Sequence, residues 1–340
     1  MSATIKDICR ATGFSTATVS RVLNNSPLVT EETKKRVQQA LDRLGYQPHH
    51  AARSLKLNRT GMIAVVFPEL DNGFFTDVLR GIDEMASEFG THLLTAFTHG
   101  PLDEEELIAR MVRERRADSI ILMNLTLKDA FLNQIQQWDM PVVLIDRPLK
   151  KSGLVSVGID NRGGAAAMTQ HLIDAGHRDF IFIGGPRDTF DAQERLLAFR
   201  KVMKLNRLPV PASAIWSGDF TEAGGYRLMS AHLAANRPLP DVIFAANDAL
   251  AVGAHRALRE HGIKVPEQVA LAGFDDTDLA RHLDLTTVHV PMRMIGREAA
   301  RQALELLEGR SSQKHMILPT RLVVRRSSAR IDRKTRKTKL

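Results

Sequence analysis

The sequence predicts an α/β protein in which an all-α helix-turn-helix domain precedes a two-lobed, doubly wound body. Three observations carry that prediction. The first 47 residues hold three short, capped helical patterns. From Gly61 onward, short β-branched apolar runs alternate with helical patterns, the signature of parallel sheets covered by helices. The whole chain is 340 residues, and the ~260 in the alternating region exceed one compact sheet.

Composition narrows the class. Hydrophobic residues make up 44% and charged residues 25%, which fits a folded, soluble chain. No apolar run approaches the ~18 residues that span a bilayer, and the start lacks an apolar export segment. The expected compartment is therefore the cytoplasm. The single cysteine, Cys9, allows no internal disulfide and no cysteine-rich zinc site. Net charge is +8, unevenly spread: residues 1–60 carry +6, residues 321–340 carry +8, and the stretch between them is −6. An acidic body between basic ends implies a polyanion partner at the ends.

The first helix pattern opens at Thr4, an N-cap with Asp7 three residues on, and stops at Gly13. Ser15 caps a second, Thr16 to Leu23. Val19, Val22 and Leu23 share one face of it, while Ala17, Ser20, Arg21 and Asn24 share the other. Small polar side chains plus one guanidinium suit a helix that enters the major groove, where arginine reads guanine through two hydrogen bonds. Thr30 caps a third helix, with Glu31 and Glu32 in its first turn and Gly45 at its end. Val37, Leu41 and Leu44 form its expected core face. Cys9 reads as a small core residue of the first helix.

The body reads as strands Ile63–Phe67, His92–Phe97, Ser119–Met123, Val142–Ile145, Leu154–Ile159, Phe180–Ile183, Val242–Ala245 and Val269–Phe274. Helices fall between them, among them Phe75–Glu88, Arg162–Ala175, Arg195–Asn206 and Leu250–His261. Ligands of such sheets bind beyond the carboxyl ends of the strands. The residues there are Phe74 and Phe75 (one facing the ligand, its neighbour packing inward), Asp146, Arg195, Phe220, Asn247-Asp248 and Asp275-Asp276. Acids, amides and arginine around aromatic faces make a clamp for hydroxyl groups with stacking platforms, which suits a sugar. Asp248 and Asp276 are alternatively caps of the helices that follow.

The segments Thr4-Ile-Lys-Asp-Ile, Ala11-Thr-Gly-Phe-Ser15, Ala17-Thr-Val-Ser-Arg-Val-Leu-Asn24 and Thr30-Glu-Glu-Thr33 closely resemble the DNA-binding domain of the lac-repressor (LacI/GalR) family. The resemblance continues along the body to that family's type I periplasmic-binding-protein-like core. It implies that Thr16, Ala17 and Arg21 read bases, while Ser15, Thr18, Ser20, Asn24 and Thr33 mostly hold phosphates; Thr4 is grouped with these contacts. Residues 48–60 then correspond to the hinge and linker. Leu55 matches a leucine that wedges into the minor groove as half of a pair, Ala52 a helix-packing alanine, and Arg53 a groove or phosphate contact. His49, followed by His50, stands where the family usually has asparagine.

For the body, residues 61–326, the resemblance implies crossovers between lobes near 160, 291 and 319. Arg195, Asn247 and Asp275 become effector contacts, joined by Asp146 and Phe220, with Phe74 or Phe75 on the wall. A basic tail, 327–340, is expected to be disordered. The implied function is a transcriptional regulator, a repressor, that binds a pseudo-palindromic operator in double-stranded DNA as a homodimer. A small-molecule effector, a sugar first and a purine or nucleoside second, controls it. Its expected place in the cell is the bacterial cytoplasm, on the nucleoid.

Two other classes fit less well. A transporter's solute-binding protein would carry an export signal and no DNA-reading helix. A cleft enzyme would need a nucleophile or an acid–base pair, but no dinucleotide or phosphate loop, nucleophile elbow or His-Glu-x-x-His occurs. No catalytic residue, metal or cofactor is implied.

Overall fold

The computed structural model describes residues 3–23, 26–46, 59–68, 73–98, 101–123, 127–147, 153–310 and 315–330. They fall into two compact units, Met1–Thr60 and Gly61–Leu340.

The first unit holds helices α1 (Ile5–Thr12), α2 (Thr16–Leu23) and α3 (Glu31–Leu44). At the start of α1 the Asp7 carboxylate accepts from both the Thr4 amide and the Thr4 hydroxyl, which keeps the Asp7 pKa below the usual range. Gly13 closes the helix at φ 74°, a conformation that an L-residue adopts only at a cost. Ile8, Val19, Val22, Val37, Ala40 and Leu41 form the core, with Cys9, Phe14 and Tyr46 packed at its edge. Leu44, expected in that core, is 37% exposed. It lies in the last turn before Gly45, and Ala40 fills the interior position. Arg36 ties the turn between α1 and α2: it donates to the Thr12 carbonyl and sits 4.8 Å over the Phe14 ring.

The second unit contains two parallel sheets. The six-stranded sheet has the order β11-β5-β4-β3-β1-β2, with β1 Met62–Phe67, β2 His92–Phe97, β3 Ser119–Met123, β4 Val142–Ile145, β5 Val155–Ile159 and β11 His315–Leu318. The four-stranded sheet runs β7-β6-β8-β9, with β6 Phe180–Gly184, β7 Ile215–Ser217, β8 Val242–Ala245 and β9 Ala270–Ala272. A short antiparallel pair, β10 Thr287–His289 and β12 Arg321–Val323, stands apart from both. The chain therefore leaves the larger sheet after Ile159, returns to it after β10 and leaves again after Leu318.

Helices cover both sheets: α4 Gly73–Glu88, α5 Pro101–Arg113, α6 Asp129–Ile135 and α12 Met292–Leu307 with the larger, and α7 Asn161–Asp174, α8 Phe190–Leu205, α9 Glu222–Ala234, α10 Asp248–Glu260 and α11 Asp278–His282 with the smaller. The central strands are apolar apart from Ser119 at the start of β3, as burial on both faces demands.

Each lobe contains one helix pair packed at backbone distance. A Cβ at Gly253 would overlap the Glu222 carbonyl, and one at Gly225 would overlap that of Leu250, so α9 and α10 touch main chain to main chain. Gly81 and Gly296 join α4 to α12 in the same way. Gly253→Val must push α9 and α10 apart. We expect a loss of at least ~3 kcal/mol, at the upper end for overpacking, read as a fall in thermal midpoint.

The chain end departs from expectation. Residues 327–330 are part of the body: Ser327 Oγ donates to the Leu271 carbonyl and accepts from the Thr286 amide. Ser328 bonds Thr286 and His171, and Arg330 donates to the Gly176 carbonyl. Buried serines with complete hydrogen bonding read as polar tail in a sequence, because nothing local reveals their partners. Residues 331–340 lie outside the described residues.

Candidate functional site

Two groups of candidate residues emerge, one in each unit. On α2, Val19 and Val22 are buried, while Thr16, Ala17 and Arg21 are exposed and Thr18 and Ser20 half-buried. Ser15 Oγ accepts from the Thr18 amide and lies 3.0 Å from the Thr18 hydroxyl, a cap that fixes the start of the helix. Thr30 and Thr33 repeat this arrangement on α3. Arg21 pairs with no acid among the described residues and stands free in solvent. The helix thus presents small side chains and one extended cation, a shape that a major groove admits. Asn24, His49, Ala52, Arg53 and Leu55 lie outside the described residues.

In the second unit the centre is Arg195, which is 2% exposed. It rises from α8. Its Nε donates to Asn161 Oδ1 (2.8 Å) and its Nη1 to the Ala246 carbonyl (2.6 Å). Its guanidinium stacks 3.9 Å over the Phe274 ring, with the Phe220 ring 5.9 Å away. Nη1 also stands 3.6 Å from Asp275 Oδ1. Asn161, the first residue of α7, turns its amide nitrogen to Asp146 Oδ1 at 3.2 Å. Asp146 follows β4 of the larger sheet and Arg195 belongs to the smaller, so Asn161 relays one lobe to the other.

The electrostatics of this centre are unbalanced. Asp146, Asp191 and Asp275 influence one another around one guanidinium. Burial, then the charge of Asp191, pushes the Asp146 pKa up to about 7. Burial likewise holds Asp275 well above the usual carboxylate range, against the pull of Arg195. Beyond its ion pair with Arg195, Asp275 Oδ1 is a buried atom with no hydrogen-bond partner among the described residues. An orphaned buried carboxylate oxygen beside an arginine is a place for a ligand's donor.

Backbone conformation marks the same places. Asp146 (φ 59°), Phe220 (φ 64°), Asp275 (φ 117°) and Asp276 (φ 62°) all adopt left-handed backbone, and each follows the end of a strand. Strain of this kind persists where the surrounding structure over-determines it, often at ligand sites.

The other candidates are placed differently. Phe75 packs into the core of the larger lobe, edge-on to Phe67, while Phe74 remains half-exposed beside it. Asn247 is the cap of α10: its Oδ1 accepts from the Leu250 amide and its Nδ2 donates to the Phe220 carbonyl. Both halves of that amide hold backbone, so Asn247 positions Phe220. Asp248 and Asp276 cap neither following helix, since Asn247 and Thr277 do so. Asp248 accepts from Thr277 and Thr287, and burial pushes its pKa up to about 6. Asp276 grips His289 of β10 (3.0 Å) and Arg325 (2.6 Å), two residues past the end of β12.

Sequence reasoning missed three residues: Asn161, Asp191 and the stacking face of Phe274. Asp191 was the accessible one, because it lies four residues before Arg195 on one helix. Among the described residues no group of three His, Cys, Asp or Glu side chains is placed to hold a metal. No helix there is long and apolar enough to cross a membrane.

A three-helix unit with a groove-sized reading helix, joined to a body of two parallel sheets, defines the class of DNA-binding transcriptional regulators. Comparison with known proteins narrows it. Residues 4–49 match the family model for bacterial regulatory proteins, lacI family, and residues 169–328 match a periplasmic binding protein-like domain. The transcriptional repressor PurR of Vibrio parahaemolyticus serotype O3:K6 is 32% identical, covering 97% of this chain and all of its own. A crystal structure of the lac repressor dimer bound to operator and an anti-inducer shares the fold, with TM-score 0.87 at 24% identity over 96% of this chain and 99% of that one. The transcriptional regulator CelR in complex with cellobiose is 31% identical, with TM-score 0.72 over 96% and 99% of the two chains. The chain belongs to the lacI family of bacterial regulatory proteins.

Proposed function

We propose that this regulator is a cytoplasmic, nucleoid-associated repressor that binds a pseudo-palindromic operator as a homodimer and is not an enzyme. A small molecule held at the junction of the two sheets sets its affinity for DNA, and that molecule is a sugar. The observation that carries the reading is the Arg195 centre: an Asp275 Oδ1 with no hydrogen bond among the described residues, Asp146 and a guanidinium, next to the half-exposed Phe220 ring. Vicinal hydroxyls satisfy carboxylate and arginine together, and a sugar face stacks on the ring. The bound cellobiose of CelR supports the same choice. Asp146 stands on one lobe and Arg195 on the other, so a ligand that touches both changes how the lobes sit. Such coupling between two sites is typically ~1–3 kcal/mol.

The test is a thermal-shift screen of mono- and disaccharides, sugar phosphates, purines and nucleosides, followed by operator titration with the hit. A ligand at one hundred times its Kd adds ~2.7 kcal/mol to stability. A sugar hit that changes operator affinity supports the reading. A purine or nucleoside hit replaces it with the second reading, and a hit with no effect on operator binding removes the regulatory link.

Arg21→Ala tests the DNA side. Loss of one base-reading arginine costs ~1–3 kcal/mol of discrimination, so operator affinity falls about tenfold or more while affinity for unrelated duplex falls much less. Equal losses on both duplexes would make Arg21 a phosphate contact.

A further inference from the structure

Helix α8 has two faces. Asp191, Arg195, Ala198, Phe199 and Val202 point inward, while Gln193, Leu196, Arg200 and Lys204 recur at spacings of three and four on the outside. The outer face meets the edge strand β7 and the segment leading into it, leaving two adjoining cavities of about 430 and 540 Å³. Arg200 and Ala212 line both cavities, so together they form one groove of the size small ligands occupy.

The charge in this groove is one-sided. Arg187, Arg200, Lys204 and Arg207 line it, and no carboxylate does. Among the described residues none of the four engages a hydrogen bond or ion pair through its side chain, and all are exposed. Four other arginines on this lobe are paired: Arg162 with Glu194, Arg227 with Asp219, Arg256 with Glu260 and Arg281 with Asp278. Like charges four apart on a helix, as Arg200 and Lys204 are, work against it, and Arg207 adds a third. The inner end differs: Leu196 and Ile215, both half-buried and apolar, line it, while the neighbouring Trp216 ring packs on His232 of α9.

We propose that this groove binds a phosphate-bearing small molecule, its anionic group on Arg200, Lys204 and Arg207 and its ring or apolar part against Leu196 and Ile215. Arginine forks and the lysine point charge match phosphate oxygens, and no neighbouring acid competes. The site is separate from the Arg195 centre and does not depend on the effector reading.

The experiment titrates the full-length protein with adenosine 5′-diphosphate and with pyrophosphate in a calorimeter, using adenosine as the uncharged control. The expected result is a saturable binding heat with the diphosphate, competition by pyrophosphate and no heat with adenosine. Adding Arg200→Ala and Lys204→Ala, both exposed and outside the core, weakens binding at least tenfold. No saturable heat with either anion overturns the proposal. Binding that persists unchanged in the double variant also overturns it, by placing the anion elsewhere. So does a response to duplex DNA alone, which would make the groove a polyelectrolyte surface.

Discussion

Arg195→Met is expected to abolish the response to effector while leaving operator binding intact. The guanidinium holds the Asn161 amide and the Ala246 carbonyl, and among the described residues it is the cation paired with Asp275. Methionine fills a similar volume against Phe274 but donates nothing, so two buried acceptors lose their partners. Breaking a buried ion pair costs roughly 3–5 kcal/mol when the remaining charge stays ionised. Here the raised pKa of Asp275 lets it take up a proton instead, so the loss of stability should fall near the lower end. Arg195→Lys should fare little better, because an ammonium cannot bond Asn161 and Ala246 in one plane while stacking on a ring. The measurements are thermal midpoint with and without the ligand from the screen, and operator affinity under the same two conditions. Retained stabilisation by ligand in Arg195→Met would place the effector away from this centre. The helix-turn-helix domain lies in the other compact unit, so operator binding can be measured separately from the thermal midpoint that reports on the body.

How far this centre can be read from sequence depends on how local its signals are. Ser119–Met123 and Val142–Ile145 are legible to the residue, because a buried parallel strand is a run of apolar, largely β-branched positions between polar breaks. Strands β7, β10, β11 and β12 are as short as β4 but each includes a polar residue, Ser217, Thr287, His315 or Arg321, so none stands out as an apolar run. The positions of Asp146 and Asp275 follow from strand ends. Their environment does not: the left-handed backbone at both is imposed by neighbours far along the chain, Val157 and Val288, which bond their amides. Asn247 shows the opposite limit. An asparagine before a helix reads equally as cap and as ligand contact, and only the structure shows both ends of its amide occupied by backbone. Asn161 carries no distinguishing local signal, since its role arises from the meeting of two sheets.

Asp146→Asn is expected to stabilise the ligand-free protein at neutral and alkaline pH. The folded-state pKa of Asp146 is about 7, above the ordinary aspartate value of 3.8, so between those values the folded protein keeps a proton that the unfolded chain has released. Stability from this group is therefore fully present below pH ~4 and is lost progressively as pH rises toward 7. Every tenfold gain in proton affinity corresponds to ~1.4 kcal/mol, which puts an upper bound of ~4 kcal/mol on the penalty above pH 7. Asparagine removes that penalty at little structural cost. It tolerates φ 59° better than most residues, and its amide can turn its oxygen toward Asn161 Nδ2. Melting curves from pH 5 to 8 should show the parent protein losing stability more steeply than the variant. Some slope remains in the variant, because Asp275 and Asp248 are raised too. The same proton opposes the ligand: a hydroxyl donates well to ionised Asp146 and poorly to the protonated acid. Effector affinity of the parent should therefore rise with pH through about 7, and that of Asp146→Asn should be low with a much smaller rise. Matching pH profiles for the two proteins would show that Asp146 stays ionised in the fold and that its burial carries no cost for ligand to relieve.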